Sequence, residues 1–195
     1  PSPQQPNPER RHAFSFRNSV LKKERRKHIT QLFSKGKGIK TTKKEEWEVC
    51  FRKWIVAYVG CIIKPEIINH TAIVFAGRQG IGKTTWLEKL VPAALKSHLF
   101  SGTINPENKD ALIHLSECIL INLDELENLN KTEIGSLKSL ITLPSVKIRR
   151  PYMRNNELSP RRASFCGSVN NMQFLNDPTG SRRFLCFEVI EIEYQ

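Results

Sequence analysis

Residues 76–86 read AGRQGIGKTTW and stand between two apolar segments. The preceding run, TAIVF at 71–75, is rich in β-branched residues and predicts a short buried strand. The following residues, LEKLV at 87–91, favour a helix over 84–95 that Pro92 ends or bends. In this strand-to-helix context, the glycine spacing and the Gly-Lys-Thr end of the stretch match a phosphate-binding loop, the P-loop.

The composition of the loop fits the chemistry of a triphosphate. Several backbone N–H groups must meet the phosphate oxygens at once, and Gly77, Gly80 and Gly82 leave the room for this. We expect Lys83 to contact the β- and γ-phosphates and the Thr84 hydroxyl to bind Mg²⁺. The predicted cofactors are therefore ATP and Mg²⁺. The residues predicted to bind the nucleotide are Gly77, Arg78, Gln79, Gly80, Ile81, Gly82, Lys83, Thr84 and Thr85.

A second apolar run, CILINL at 118–123, ends in two carboxylates. Such a strand delivers its last side chains to the edge of a parallel sheet where ligands bind. We expect Asp124 to hold Mg²⁺ with Thr84, and Glu125 to activate the attacking water as general base. Glu127 is expected to face solvent.

Two further features indicate nucleotide hydrolysis rather than binding alone. Asn170 follows the apolar strand ASFCGSV at 163–169 and is placed to orient the lytic water. Arg182 and Arg183 follow the turn DPTG at 177–180. One of these arginines is expected to stabilise the transferring phosphoryl group as a finger in a neighbouring subunit, or to hold a phosphate in its own chain. The sequence does not choose between these two roles.

The rest of the chain alternates between helical and strand patterns. Apolar residues at three- and four-residue steps predict an amphipathic helix from near Lys44 to Ile62. Asn130 and Glu133 form the pattern of a capping box that opens a second helix. The order of elements predicts an α/β fold, a three-layered P-loop NTPase with a mostly parallel central sheet, preceded by a basic helical N-terminal segment. Further strands are predicted at 145–150, 161–169 and 182–190.

Four blocks in this order resemble the virulence-associated protein E family. They are GRQGIGKTTWLEKLVP at 77–92, INLDELE at 121–127, RRPYMRNN at 149–156 and RRASFCGSVNNMQFLNDPTGSRRF at 161–184. Members of that family are similar to superfamily 3 helicases, a branch of the AAA+ ATPases. The resemblance covers roughly residues 46–190.

The resemblance implies a ring-forming, ATP-driven DNA helicase that acts in the replication of phages and other mobile elements, often joined to a primase. By this match, Gly77–Thr84 is Walker A, Asp124 and Glu125 are Walker B, and Asn170 is the sensor asparagine. Arg182 and Arg183 are the candidates for the finger. One departure is CGSVN at 166–170, where a threonine-rich GTTN is expected. Family members continue beyond Gln195, so this chain is expected to lack a C-terminal region.

The segment SVKIRRPYMRNNELSPRRASF at 145–165 predicts a β-hairpin or a similar excursion. In superfamily 3 helicases, the same place holds the pore hairpin that grips single-stranded DNA. Basic side chains bind phosphates without reading sequence, and an aromatic ring stacks on any base. The alternative is a solvated hairpin whose arginines pair with a neighbouring subunit. The residues predicted to contact single-stranded DNA are Lys147, Arg149, Arg150, Tyr152 and Arg154, with Arg161 and Arg162 nearer the core strand.

The charge is concentrated at the N-terminus. The 195 residues carry a formal net charge of +12, and residues 1–45 hold 13 Lys and Arg against 3 Asp and Glu. We expect residues 1–45 to be a basic, partly disordered segment with a linker, SKGKGIKTTKK, at 34–44, and residues 46–195 to form the ATPase domain. The basic segment either adds affinity for DNA or packs as a collar helix.

The cysteines and the hydropathy indicate the compartment. Five scattered cysteines without a CxxC pair are typical of small core residues in a reducing cytoplasm rather than of a zinc site or a disulfide framework. The chain has no run of 18 apolar residues, so we expect no membrane span and a cytoplasmic location.

Three functions compete at this point. The first is an ATP-dependent DNA helicase that works as a homo-oligomeric ring, such as a hexamer. The second is an ATP-binding switch or scaffold that assembles on DNA without unwinding it. The third is a P-loop kinase, which would need an arginine-rich lid and an acceptor pocket, and would not need the Asn170 strand.

Overall fold

The computed structural model describes residues 30–106, 108–148, 157–171 and 181–193. The described strands are β1 (Ile39–Thr41), β2 (Ala72–Ala76), β3 (Leu99–Gly102), β4 (Leu120–Leu123), β5 (Ser145–Ile148), β6 (Glu157–Pro160), β7 (Ser164–Val169) and β8 (Phe184–Ile192). The described helices are α1 (30–37), α2 (Lys44–Ile63), α3 (Lys83–Glu88), α4 (Lys109–Glu117) and α5 (Lys131–Thr142). Short 3₁₀ turns span Ala93–His98, Leu126–Asn128 and Ser181–Arg183.

The central sheet has six strands in the order β1-β8-β2-β7-β4-β3. All neighbouring strands from β8 to β3 run parallel, and only the edge strand β1 is antiparallel to its neighbour. At the carboxyl end of β2, Ala76 lies opposite Val169 of β7 and Glu188 of β8. The predicted α/β fold with a mostly parallel sheet is confirmed.

Helices cover both faces of this sheet. Every residue of β2 is buried, as expected for a strand of a parallel sheet. Ile73 and Phe75 belong to one core cluster, which includes residues of α1, α2 and α3. Ala72 and Val74 belong to the other core cluster, with residues of α4 and α5. The described residues therefore form three layers with the sheet in the middle.

The predicted amphipathic helix at 44–62 is α2, and its aromatic residues anchor it to the sheet. Trp47 stacks on Phe51 with 4.6 Å between ring centroids and meets Phe187 of β8 edge-on at 5.1 Å. Trp86 of α3 lies 5.2 Å from Phe75 and 6.1 Å from Trp47. Because Trp86 follows the glycine-rich loop directly, this aromatic cluster fixes the place where that loop ends.

Two sequence predictions in the N-terminal half are wrong. The helix predicted over 84–95 ends at Glu88, and a separate 3₁₀ turn begins after Pro92. A residue before proline is pushed out of the helical region, which explains why the helix does not reach Val91. The stretch predicted as a linker at 34–44 contains the edge strand β1, whose Ile39 is buried and pairs with Ile192.

The strand β3 and the helix α4 have no counterpart among the sequence predictions. β3 is only four residues long and partly exposed, so its apolar pattern is weak. α4 is opened by Asn108, whose side chain accepts a hydrogen bond from the Asp110 N–H. The predicted capping box of α5 is confirmed, since Asn130 and Glu133 each accept from the other's backbone N–H.

The segment predicted as a hairpin forms a separate two-stranded antiparallel sheet, β5 with β6. Val146 is buried against the α4 and α5 side of the core, whereas Lys147 and its partner Leu158 are exposed. Residues 149–156, which connect β5 to β6 along the chain, lie outside the described residues.

All five cysteines lie in the described residues and are free thiols. Burial raises the pKa of Cys118 to about 11 and that of Cys186 to about 12. The described residues contain no cluster of three or more His, Cys, Asp or Glu suited to a metal ion. Over the same part of the chain, no helix is both long and apolar enough to span a bilayer.

Candidate functional site

The glycine-rich loop connects the carboxyl end of β2 to α3, in the strand-loop-helix context that the pattern requires. Gly77 has a φ of 151°, and a Cβ there would lie 2.6 Å from the Val189 carbonyl oxygen, so this position requires glycine. Gly82 has a φ of 88° and precedes the first residue of α3 in the left-handed conformation. The loop thus turns sharply at both of its ends.

Lys83 is held inside the curve of its own loop. Its Nζ donates hydrogen bonds to the carbonyl oxygens of Gly77 at 2.6 Å and Arg78 at 2.9 Å. Only 7% of the residue is exposed. Burial lowers the pKa of Lys83, and the nearby Glu127 carboxylate offsets part of this effect. A cationic group is therefore held within the glycine-rich loop, at the wall of the cleft described below.

Three side-chain oxygens meet where β2, β7 and β4 end. The Thr84 hydroxyl donates to Asp124 Oδ1 at 2.9 Å, and the Ser168 hydroxyl donates to the same oxygen at 3.2 Å. Thr84 Oγ1 and Ser168 Oγ are 3.4 Å apart. Hydroxyl and carboxylate oxygens are the donors that Mg²⁺ accepts, with water and substrate phosphates completing its shell. The residues present therefore fit a magnesium ion at this position.

These groups line one open cleft with a volume of about 390 Å³. Six of the nine residues predicted to bind the nucleotide line this cleft, and Gly77, Arg78 and Ile81 do not. The carbonyls of Gly77 and Arg78 accept hydrogen bonds from Lys83, and Ile81 packs against the core. The lining residues are Gln79, Gly80, Gly82, Lys83, Thr84, Thr85, Asp124, Glu125, Glu127, Ser168, Val169 and Asn170.

Glu125 and Glu127 differ in their surroundings. Glu125 is exposed, and its carboxylate accepts a hydrogen bond from the Asn128 side chain at 2.9 Å. Among the described residues it is the only non-glycine with a positive φ, 54°. Glu127 is half-buried, and its Oε1 accepts from both the backbone N–H of Asn170 at 3.0 Å and the Asn170 carboxamide at 2.7 Å. The prediction that Glu127 faces solvent is wrong.

Asn170 lies at the cleft, as the sequence predicts, directly after β7. Its carboxamide is bonded to Glu127, which the sequence analysis did not include in the site. Ser168 was also missed, because a serine within an apolar strand reads as a small core residue. A signal for Ser168 was available, since alternate residues of a strand share a face and Ser168 and Asn170 stand two apart.

Arg182 and Arg183 lie away from this cleft. They form the turn before β8, whose first residue Phe184 pairs with Ala72 at the start of β2. The loop begins after Ala76, which is four residues further along β2 than Ala72 and therefore about 13 Å from it. The two arginines therefore lie at the amino-terminal end of the parallel strands, opposite the cleft. The structure does not support a phosphate contact within their own chain. Arg182 is exposed and Arg183 half-buried.

The predicted DNA-binding residues are only partly described. Lys147 is exposed on β5, while Arg149, Arg150, Tyr152 and Arg154 lie outside the described residues. Arg161, expected only to lie nearer the core strand, is itself buried, with 1% exposure.

A family model matches most of this chain. The matching description is "Virulence-associated protein E-like domain", and the match covers residues 18–195. The chain belongs to the virulence-associated protein E-like domain family. The predicted resemblance is thus confirmed at the level of the family. A comparison with curated proteins finds no match.

The fold of this virulence-associated protein E-like domain is similar to solved structures of the NrS-1 C-terminal region in its apo form. One structure of residues 305–718 matches with a TM-score of 0.54 at 16% sequence identity, over 85% of this chain and 39% of that one. A second, the A form of the same region, matches with a TM-score of 0.53 at 18% identity, over 87% and 38%. At this identity the likeness shows the fold alone. The chain spans about two fifths of the length of these structures.

Proposed function

We propose that this chain is the ATPase module of a replication protein, a P-loop NTPase of the AAA+ type that hydrolyses ATP to move on single-stranded DNA. The observation that carries the proposal is the contact between Thr84, at the end of the glycine-rich loop, and Asp124, at the end of β4. Thr84 lies in α3, which follows β2, and Asp124 follows β4; β7 separates these two strands, yet the two side-chain oxygens are 2.9 Å apart.

The site supports nucleotide binding through several independent groups. The loop offers backbone amides and the Lys83 cation to phosphates. The oxygens of Thr84, Asp124 and Ser168 supply hard ligands of the type that hold Mg²⁺ beside a triphosphate. When bound, the metal neutralises charge on the phosphates. The cleft of about 390 Å³ is within the usual range for a small-molecule site.

Membership of the family supports a role in the replication of mobile elements, since the resemblance from sequence implies it. The placement of Arg182 and Arg183 favours the oligomeric version of the proposal. An arginine at the end of the strands opposite the cleft reaches a nucleotide only if that nucleotide belongs to a neighbouring subunit. A ring of identical chains, with ATP at each boundary, brings the arginines of one subunit next to the nucleotide cleft of its neighbour.

The test is the rate of ATP hydrolysis by the purified protein with Mg²⁺, measured with and without single-stranded DNA. We expect turnover that DNA stimulates and that Lys83→Ala abolishes. Tight ATP binding with no turnover, at concentrations where the protein assembles on DNA, would instead support the switch or scaffold. Failure of the protein to bind ATP at all would contradict both the ATPase and the switch or scaffold.

A further inference from the structure

Glu127 and Asn170 both line the cleft and are bonded to each other. Glu127 Oε1 accepts hydrogen bonds from the Asn170 backbone N–H at 3.0 Å and from the Asn170 carboxamide at 2.7 Å. The other oxygen, Oε2, is buried and has no hydrogen-bond partner among the described residues. Since Oε2 is closed off from the cleft and Oε1 is engaged, this carboxylate is placed to hold Asn170 and not to take a proton from a water.

The bond to Glu127 decides which way the Asn170 carboxamide is turned. The oxygens of a carboxylate only accept hydrogen bonds, so the Nδ2 end of the carboxamide must face Oε1. The reverse orientation would set two acceptor oxygens against each other. With Nδ2 engaged, Oδ1 is the end of the carboxamide that has no partner in the described part of the chain. Asn170 is exposed at the cleft, so Oδ1 is available to a molecule bound there.

The packing around this pair holds both residues in place. Glu127 belongs to the turn Leu126–Asn128, and Leu126 is buried in the core. Gly167 of β7 lies against that leucine, because a Cβ at this glycine would be 2.7 Å from Leu126 Cδ1. The turn that carries Glu127 is therefore packed closely on the strand that leads to Asn170.

The attacking water of a hydrolysis needs acceptors in defined directions. One of its lone pairs must point at the γ-phosphorus, so both of its O–H bonds point elsewhere, and an acceptor for each of them holds the water in the attacking orientation. Glu125, exposed at the same cleft and predicted to be the general base, is one such acceptor. Asn170 Oδ1 is a second. A carboxamide turned the other way would donate to the water and engage a lone pair instead.

We propose that Glu127 is a positioning residue for ATP hydrolysis, which fixes the Asn170 carboxamide so that Oδ1 accepts a hydrogen bond from the attacking water. The inference rests on the proposed ATPase function and assigns one residue within it. In the reaction, the water oxygen forms a bond to the γ-phosphorus, and the bond from that phosphorus to the oxygen bridging to ADP breaks, with its electron pair left on ADP. The proton of the water moves to Glu125, and Glu127 exchanges no proton.

The experiment measures kcat and KM for Mg²⁺-ATP with single-stranded DNA in the purified protein. Glu127→Ala removes the acceptor of both hydrogen bonds and is expected to lose at least about tenfold in kcat, with KM within about threefold of the wild type. Glu127→Gln keeps an oxygen acceptor for Asn170, so its kcat is expected to stay within about threefold of the wild type. Glu48→Ala, which removes an exposed carboxylate of α2, is the matched control and should behave as the wild type.

Variants of Asn170 test whether the two residues act as one unit. Asn170→Ala removes the group that Glu127 orients and should lose about as much kcat as Glu127→Ala. The double variant is expected to be no slower than Asn170→Ala alone, because both residues act through one carboxamide. Asn170→Asp keeps an oxygen for the water but sets it against Glu127 Oε1, so it should also lose at least about tenfold in kcat.

Three results would each overturn the inference. They are a wild-type kcat in Glu127→Ala or in Asn170→Asp, equal losses in Glu127→Gln and Glu127→Ala, and losses that add in the double variant. If Glu127→Ala does not fold, Asn170→Asp decides, since its substitution lies at an exposed position. Any of the three results with an active wild type leaves the proposed ATPase intact, whereas a wild type that neither binds nor hydrolyses ATP contradicts the proposed function itself.

Discussion

The Thr84 hydroxyl and the Asp124 carboxylate meet at 2.9 Å although 40 residues separate them along the chain. The contact exists because β2, β7 and β4 run parallel and in register, so their carboxyl ends fall at one edge. β7 stands between the other two strands and adds Ser168 to the pair. Sheet topology therefore brings residues that are distant along the chain to one end of the parallel strands.

The hydroxyl of Thr84 is expected to be necessary for the binding of Mg²⁺ with ATP. Thr84→Ser retains the hydroxyl, whereas Thr84→Ala removes it and leaves Asp124 with one donor fewer. Mg²⁺-ATP at 100 times its Kd should stabilise the wild type by about 2.7 kcal/mol, which raises the Tm by about 5–10 °C. We expect Thr84→Ser to keep this shift and Thr84→Ala to lose most of it.

Thermal unfolding with and without EDTA is the measurement for Thr84. Lys53→Ala, an exposed position on α2, serves as the control that should behave as the wild type. A full shift in Thr84→Ala, dependent on Mg²⁺, would show that the threonine hydroxyl is not a ligand.

The arginines before β8 are expected to act across a subunit boundary. Lys83→Ala protein retains the arginines, and Arg182→Ala or Arg183→Ala protein retains the loop. When the two are mixed, roughly a quarter of the boundaries in a random ring combine an intact loop with an intact arginine. ATPase activity should therefore reappear in the mixture although each variant alone is inactive. Mixtures that stay inactive while wild-type rings hydrolyse ATP would argue against the trans arginine.

Several residues of the cleft could be predicted from the sequence, because they belong to local motifs. The glycine spacing at 77–84 predicts a loop whose backbone requires glycine, and Asp124 follows an apolar run that is indeed β4. The fully buried strands β2 and β7 also stand out as continuous apolar runs. These features depend on a few neighbouring residues, so they can be predicted without knowledge of the tertiary fold.

Two of the failures, β1 and Glu127, share a physical cause, which is that tertiary contacts decided the structure. β1 is three residues long and is a strand only because β8 offers it an edge. Glu127 enters the cleft only because Glu125 adopts a left-handed conformation and Asn170 lies across from it. Neither relationship leaves a periodic pattern in the chain.

Lys147 is expected to contact a DNA phosphate without reading sequence. It is exposed on β5, and along the chain it stands two residues before Arg149, the next of the predicted DNA-binding residues. Lys147→Gln should weaken the binding of single-stranded DNA equally for all sequences and should reduce the slope of log Kd against log salt by about 1. Fluorescence anisotropy with two unrelated oligonucleotides measures both effects. The control is Lys53→Gln, on the helix that covers the other face of the sheet, and an equal change in that variant would indicate a general charge effect.

Arg161 is expected to be a structural residue whose fork of donors cannot be replaced. It is buried, and its guanidinium donates to the carbonyl oxygens of Ala163, Asn69 and Ile141. Burial lowers its pKa to about 10, so the group stays charged at neutral pH. Arg161→Lys keeps the charge but loses the planar fork, and should lower the free energy of unfolding by about 1–3 kcal/mol. Urea denaturation is the measurement, with Arg162→Lys as the milder control.

Among the described residues, the guanidinium of the half-buried Arg162 makes long contacts, at 3.3 and 3.4 Å, to the carbonyls of Ile62 and Cys61. Its substitution by lysine should cost less than about 1 kcal/mol. Equal losses in the two variants would mean that charge in this region matters and the three carbonyl contacts of Arg161 do not.

Tyr58 is expected to make the protein sensitive to alkali. Its ring stacks on Trp54 at 5.4 Å, but its hydroxyl is buried and has no hydrogen-bond partner among the described residues. Burial raises the pKa of Tyr58, with a smaller contribution from Cys166. The folded state therefore keeps the phenol neutral, whereas the unfolded chain ionises it above about pH 10. The stability that this group contributes is complete below that pH and is lost as the pH rises toward the folded pKa.

Tyr58→Phe removes both the unpaired hydroxyl and its ionisation. At pH 8 we expect the variant to be at least as stable as the wild type, because no hydrogen bond is lost. At pH 10.5 the wild type should lose about 1 kcal/mol that the variant retains, since only the unfolded wild-type phenol ionises there. Urea denaturation of both proteins at both pH values gives the difference directly, and every other titrating group cancels in the comparison. An identical difference at the two pH values would mean that the Tyr58 hydroxyl ionises as readily in the folded protein as in the unfolded chain.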